Sequence, residues 1–109
     1  MNQLDLVFGA LADPTRRAIL DRLTLGEATV AELAKRFPIS LPAVSKHIKV
    51  LETAGLLKQR VVAQTRPCRL DAESLKRAGD YFEMFRPQWE ERFDQLSDYL
   101  EQLQAEGHK

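Results

Sequence analysis

The chain has 109 residues, 44% of them hydrophobic and 29% charged, with 16 basic residues balanced by 16 acidic ones. That length predicts one domain, 1–109, able to bury roughly two-thirds of its unfolded surface, and the composition excludes disordered and collagen-like chains. A single cysteine, Cys68, cannot form an internal disulfide, so a disulfide-stapled secreted fold is excluded as well.

The longest uncharged apolar stretch near the start, Leu6 to Ala12, is far short of the roughly 20 residues that span a bilayer. No basic residue precedes Arg16, so no secretory leader is expected, and the cytoplasm is the expected location. The zero net charge hides a polarised distribution. Residues 1–34 carry three basic residues against five acidic (net −2), residues 35–70 carry eight against Glu52 alone (net +7), and residues 71–109 carry five against ten (net −5). A basic middle third can neutralise phosphates, although a solvated cluster of surface charge has the same composition.

Leu4, Val7, Phe8 and Leu11 recur at helical spacing and predict a short first helix ending at Ala12. Asp13 followed by Pro14 reads as an N-cap with proline in the first turn, opening a second helix with Ile19, Leu20 and Leu23 inward and Gly26 just past its end. Thr29 and Glu32 have the spacing of a capping box, which starts a third helix through Lys35 or Arg36. Phe37 to Ile39 is a tight connection, Ser40 an N-cap, and the fourth helix runs to about Ala54, with Gly55 as its left-handed stop. Leu56–Val62 reads as a strand, Ala63–Arg66 as a polar turn, and Pro67–Leu70 as a return strand. Asp71 caps a long last helix over 72–105, and the chain shows no internal repeat, low-complexity run or interdomain linker.

The order is four helices, a two-stranded hairpin and a helix: a mainly α fold with a small β-hairpin wing, the winged helix-turn-helix. On the fourth helix Val44, Ile48 and Leu51 form one apolar stripe, while Pro42, Lys46 and Lys49 lie opposite it, with Ala43 and Ser45 on the flanks. Small and hydroxyl residues followed by lysines suit entry into a DNA major groove. His47 lies on the shoulder of the stripe, placed either to pack within the domain or to touch DNA. In the wing, Arg60, Gln64, Thr65 and Arg66 are candidates for phosphate or minor-groove contact.

The runs LADPTRRAIL over Leu11–Leu20 and AVSKHIKVLETAGL over Ala43–Leu56 resemble the ArsR/SmtB winged-helix repressors of bacteria, and the likeness covers nearly the whole chain. The resemblance implies a homodimer that binds an inverted repeat in double-stranded DNA and represses transcription by occluding polymerase. On matching positions its recognition helix uses Ser40, Pro42, Ala43, Ser45, Lys46 and His47. Many members sense metals or arsenite through a cysteine pair in a third-helix pattern such as E-L-C-V-C-D-L. Here the run is Glu27 to Leu33 (E-A-T-V-A-E-L), so Thr29 and Ala31 stand where thiolates would be. The family's other metal site uses Asp and His on the last helix, but residues 72–105 contain no His, and His108 lies in the tail. No metal and no cofactor are therefore expected. Cys68 alternates with Leu70, which suits a small buried core residue; Arg66 and Arg69 nearby leave a reactive thiol as the other reading.

Leu75, Ala78, Phe82, Phe85, Trp89, Phe93, Leu96, Leu100 and Leu103 follow steps of three or four, one apolar stripe interrupted at Pro87, where the helix must kink or restart. A helix that long outreaches a small core. Phe82, Phe85, Trp89, Phe93 and Leu96, with Leu4, Val7, Phe8 and Leu11 of the first helix, are expected to form a homodimer seam. Three function classes compete: a DNA-binding repressor, a dimeric protein-interaction module that has lost DNA binding, and an enzyme. The +7 segment with outward Lys46 and Lys49 favours the first, and no nucleophile-base grouping or glycine-rich phosphate loop supports the last.

Overall fold

Each of the first four helices begins on a side chain that accepts from an otherwise unpaired backbone N–H, three of them at the expected caps Asp13, Thr29 and Ser40. In the computed structural model, which describes residues 2–107, helix α1 (Gln3–Leu11) starts on Asn2, whose side chain accepts from the Asp5 N–H while Asp5 returns a bond to the Asn2 N–H. Helix α2 (Pro14–Leu23) starts on Asp13, which accepts from the Arg16 N–H at 3.0 Å. After it come strand β1 (Ala28–Thr29) and helix α3 (Val30–Ala34), capped by Thr29. The Glu32 carboxylate accepts from the Thr29 hydroxyl rather than from its backbone, so this cap is one-sided and not the reciprocal box expected.

Helix α4 (Leu41–Thr53) starts on Ser40 and stops at Gly55, which has φ +78°. The Gly55 N–H bonds the Glu52 carbonyl and the Leu56 N–H bonds the Leu51 carbonyl, both at 2.9 Å, the two-bond closure that needs a left-handed residue. Leu56 is spent on that closure, so strand β2 is Leu57–Gln59 and not the longer 56–62 expected. It pairs antiparallel with β3 (Pro67–Leu70), and β3 also pairs with β1, giving the order β1-β3-β2. Pro67 accepts from the Arg60 N–H at 3.1 Å but has no N–H to return, and the regular ladder ends there. Beyond it, an isolated Val62–Thr65 bridge closes the wing tip, with Ala63 at φ +53°.

The last helical stretch is two helices, α5 (Ala72–Glu83) and α6 (Arg86–Gly107), where one helix over 72–105 was expected. Asp71 does cap α5, accepting from the Glu73 N–H. Pro87 cannot bond the Glu83 carbonyl four residues back, so the helix breaks at Met84–Phe85 and restarts with the proline in its first turn.

Residues up to Ala78 and residues from Gly79 onward form two compact units. The core of the first gathers Val7 from α1, Ile19, Leu20 and Leu23 from α2, Leu33 from α3, Val44, Ile48 and Leu51 from α4, and Leu56, Leu57 and Cys68 from the sheet side. In the second, Tyr81 meets Phe82 and Phe85 edge-on, with ring centroids 6.0 and 5.3 Å apart. Leu96, Leu100 and Leu103 of α6 stay 52%, 50% and 45% exposed. Among the described residues no helix is long and apolar enough to cross a membrane. The Trp89 side chain and His108 lie outside the described residues.

Candidate nucleic-acid interface

The stripe of α4 predicted to face inward does so: Val44, Ile48 and Leu51 are fully buried. Burying them turns Pro42, Ser45, Lys46 and Lys49 to solvent, with Ala43 half-buried between the two sides. Ser40 is exposed, but its hydroxyl oxygen accepts from the Ala43 N–H at 3.3 Å, so the cap already uses one of its lone pairs.

Across from α4 stands the wing. Its Arg60, Gln64, Thr65 and Arg66 are all exposed, and with Ser45, Lys49 and Glu52 of α4 they line a groove of about 730 Å³. Thr29, Val30 and Ala31 at the start of α3, Leu41 and Ile48 of α4, and Gln59 and Val61 of the wing complete its lining. The groove thus has basic and polar rims over partly apolar walls, with Glu52 as its acidic member. The Thr65 hydroxyl is committed to the Val62 carbonyl at 2.7 Å. Arg60 is committed as well, pairing with Glu27 at 2.9 Å, and Lys58 lies 3.7 Å from Asp71. Among the described residues, Lys46, Lys49 and Arg66 have no carboxylate within 4.0 Å. Of the cations expected on this face, Lys46, Lys49 and Arg66 are thus left unpaired by a carboxylate, whereas Arg60 is paired.

His47 is half-buried and turned toward the α1–α2 corner, where its Nδ1 lies 3.3 Å from Arg16 Nη1 and 3.8 Å from Asp13 Oδ2. The Arg16 N–H holds the Asp13 carboxyl below the ordinary carboxylate range, against a smaller opposing effect of burial, and His47 and the Arg16 charge add to the lowering. Sequence reading missed Arg16 as part of this site. Its capping partner Asp13 was legible three residues away, but His47 is 31 residues further on and nothing local joins them.

Of the expected seam residues on α1, Leu4, Phe8 and Leu11 are half-buried against the core, whereas Val7 is 1% exposed. Val7 therefore serves this chain's own core and has no surface to offer a partner. Phe82, Phe85, Phe93 and Leu96 are exposed. Cys68 is fully buried, and its Sγ–H points to the Arg66 carbonyl at 3.6 Å. Burial, and secondarily the Glu52 charge, push its thiol up to about 11.

A helix-turn-helix domain family matches residues 11–60, the stretch from the end of α1 to the stem of the wing. The HTH-type transcriptional regulator Rv2034 of Mycobacterium tuberculosis is 49% identical over 71 residues, 65% of this chain and 66% of that protein. The chain therefore matches just under two thirds of that relative's length. The crystal structure of an ArsR family transcriptional regulator, RHA00566, superposes with a TM-score of 0.76 at 42% identity, over 81% of this chain and 91% of the other.

The chain belongs to the ArsR family. Another structural neighbour is the homodimeric winged helix-turn-helix DNA-binding domain Mb0332 of Mycobacterium bovis, described as a possible ArsR-family regulator, with a TM-score of 0.63 and 27% identity over 79% of this chain and 80% of that one. In this ArsR-family chain, Thr29 and Ala31 belong to the start of α3: Thr29 caps the helix and Ala31 is an exposed first-turn residue.

Proposed function

We propose that this chain is a homodimeric, sequence-specific DNA-binding repressor that acts in the cytoplasm on an inverted-repeat promoter site and excludes polymerase by occupying it. The observation that carries the reading is the pairing of α4 with the wing. Lys49 on the α4 side of the groove and Arg66 on the wing side, with Lys46 elsewhere on the solvent face of α4, are exposed and have no carboxylate within 4.0 Å among the described residues. In this reading Pro42, Ala43 and Ser45 bring the helix close to base edges, Ser40 anchors its N-terminus, and Lys46, Lys49, Arg60, Gln64, Thr65 and Arg66 position the duplex through its phosphates.

A two-fold dimer places two such helices about 34 Å apart, in successive major grooves, which makes the target palindromic. The half-exposed leucines of α6 support a second copy as the partner, because a charge-poor apolar row of that length is costly to leave in water. The homodimeric neighbour supports the same occupant.

The test is a titration of the purified protein against duplex from its own upstream region at several salt concentrations. Binding at the specific site should exceed binding to random duplex by about a thousandfold or more, with log affinity falling linearly against log salt. Lys46→Ala and Arg66→Ala should each weaken binding and flatten the slope by about one. No change in either variant overturns the assigned face. Leu96→Asp with Leu100→Asp should sediment as a monomer and lose tight binding to the two-half-site duplex, whereas a wild-type monomer at micromolar concentration contradicts the dimer.

A further inference from the structure

We propose that Arg16 is a positioning residue that fixes His47 as a hydrogen-bond donor on the DNA-facing side of the recognition helix. Arg16 spans three elements. Its Nε donates to the Ala10 carbonyl at 2.7 Å and its Nη2 to the Gly9 carbonyl at 3.1 Å, which serves the last turn of α1. The remaining arm, Nη1, meets His47 Nδ1 of α4 at 3.3 Å. A guanidinium has donors and no acceptor, so Nδ1 must offer its lone pair, and the ring proton of the neutral imidazole sits on Nε2. Asp13 Oδ2, at 3.8 Å, is too far to draw the proton to Nδ1 by a hydrogen bond.

That leaves Nε2–H to account for. Among the described residues nothing accepts from it, and among them no buried side-chain nitrogen or oxygen lacks a partner, so the Nε2 side of the ring reaches solvent. His47 lies about 100° around α4 from Lys46, on the shoulder of the solvent face, and its Nε2–H is a donor that reaches solvent there. The ligand it fits is a hydrogen-bond acceptor of the duplex, a phosphate oxygen or a base-edge acceptor (a purine N7, guanine O6 or thymine O4), and not the amino groups of adenine or cytosine. The ligand rests on the DNA-binding reading; the ring's protonation state does not.

The tautomer is read from long-range proton–nitrogen correlation spectra of the nitrogen-15-labelled full chain at pH 8. His47→Gln assigns the signal against that of His108. The expected wild-type spectrum has an unprotonated Nδ1 and a protonated Nε2, and Arg16→Lys, which cannot serve three acceptors with one planar fork, should shift it toward a mixture. Wild-type His47 protonated on Nδ1 overturns the proposal whether or not the Arg16 variant folds.

Binding supplies the second readout. His47→Phe should lose about tenfold in affinity, the size of one hydrogen bond, while His47→Gln, which keeps an acceptor for Arg16 and a donor beyond it, stays within about threefold of wild type. Equal loss on the upstream duplex and on an unrelated duplex assigns a phosphate partner; loss on the upstream duplex alone assigns a base-edge acceptor. His47→Phe that binds both duplexes as wild type does removes His47 from the contact. Wild-type protein that binds no duplex overturns the ligand, and the spectra then decide the role of Arg16 alone.

Discussion

Arg60 Nη2 lies 2.9 Å from Glu27 Oε2, which fastens the stem of the wing to the residue just before β1. Both side chains are largely in solvent, so the pair itself is worth roughly 0.2–1 kcal/mol and yields readily to a better anion. Phosphate has to compete with Glu27 for Arg60, whereas Arg66 is open. Glu27→Gln should therefore tighten binding to random duplex a few-fold at low salt and leave the melting temperature nearly unchanged. Arg60→Ala should weaken binding less than Arg66→Ala does. Glu27→Gln that binds no more tightly than wild type refutes the competition.

Gly55 is required twice over. Its φ of +78° is left-handed, and a Cβ there would stand 2.9 Å from Gln3 Nε2, the group that donates to the Ala54 carbonyl, and 3.0 Å from Ser74 Oγ. Gly55→Ala should cost about 1–2 kcal/mol, the left-handed penalty partly offset by a stiffer unfolded chain, and lower the melting temperature by roughly 5–10 °C. A shift under about 3 °C contradicts the requirement.

Asp13 gives the protein a specific acid response. Its carboxyl is held below the ordinary 3.8, first by the Arg16 N–H, and then by the charges of His47 and Arg16. A lowered native pKa means that the ionised form stabilises the fold above about pH 4, and that this contribution fades as pH falls through the native value. Asp13→Asn keeps the capping oxygen and loses the charge. Urea midpoints of wild type and Asp13→Asn should differ at pH 5 and converge as pH falls below 4. Curves that stay parallel down to pH 2.5 refute the assignment.

Cys68 should be chemically quiet. Burial, with the Glu52 charge behind it, raises its thiol from the ordinary 9.0 to about 11, so the thiol contributes stability below pH 9 and loses it as pH rises toward 11. A disulfide reagent at pH 8 should label the folded protein far more slowly than the urea-unfolded chain. Oxidant should leave DNA affinity unchanged in wild type and in Cys68→Ser alike. An oxidant response that disappears in Cys68→Ser restores the redox reading.

What could be read from the sequence was what local chemistry fixes. Asp13 with Pro14, Ser40 and Gly55 each set a helix end with their own atoms, and the three-residue stripe of Val44, Ile48 and Leu51 fixed which way α4 faces. Pro87 announced an interruption, which became a full restart. Asn2 and Asp5 carried a capping pair in plain spacing that went unread. The two residues of β1 were illegible for a different reason: they become a strand only because Cys68 and Pro67 lie alongside, some forty positions later in the chain. Arg16 with His47 is the same kind of case in the candidate site, as is Arg60 with Glu27.

The brevity of the wing sets a limit on how much DNA each subunit can survey. Past the last bond to Pro67 the hairpin runs only to a turn closed by Val62 and Thr65, a projection of three residues or roughly 10 Å. In the proposed complex such a stub meets the strand bordering the groove under α4 and goes no further. Base changes outside that short reach would then act on affinity through the bendability of the duplex and not through contact.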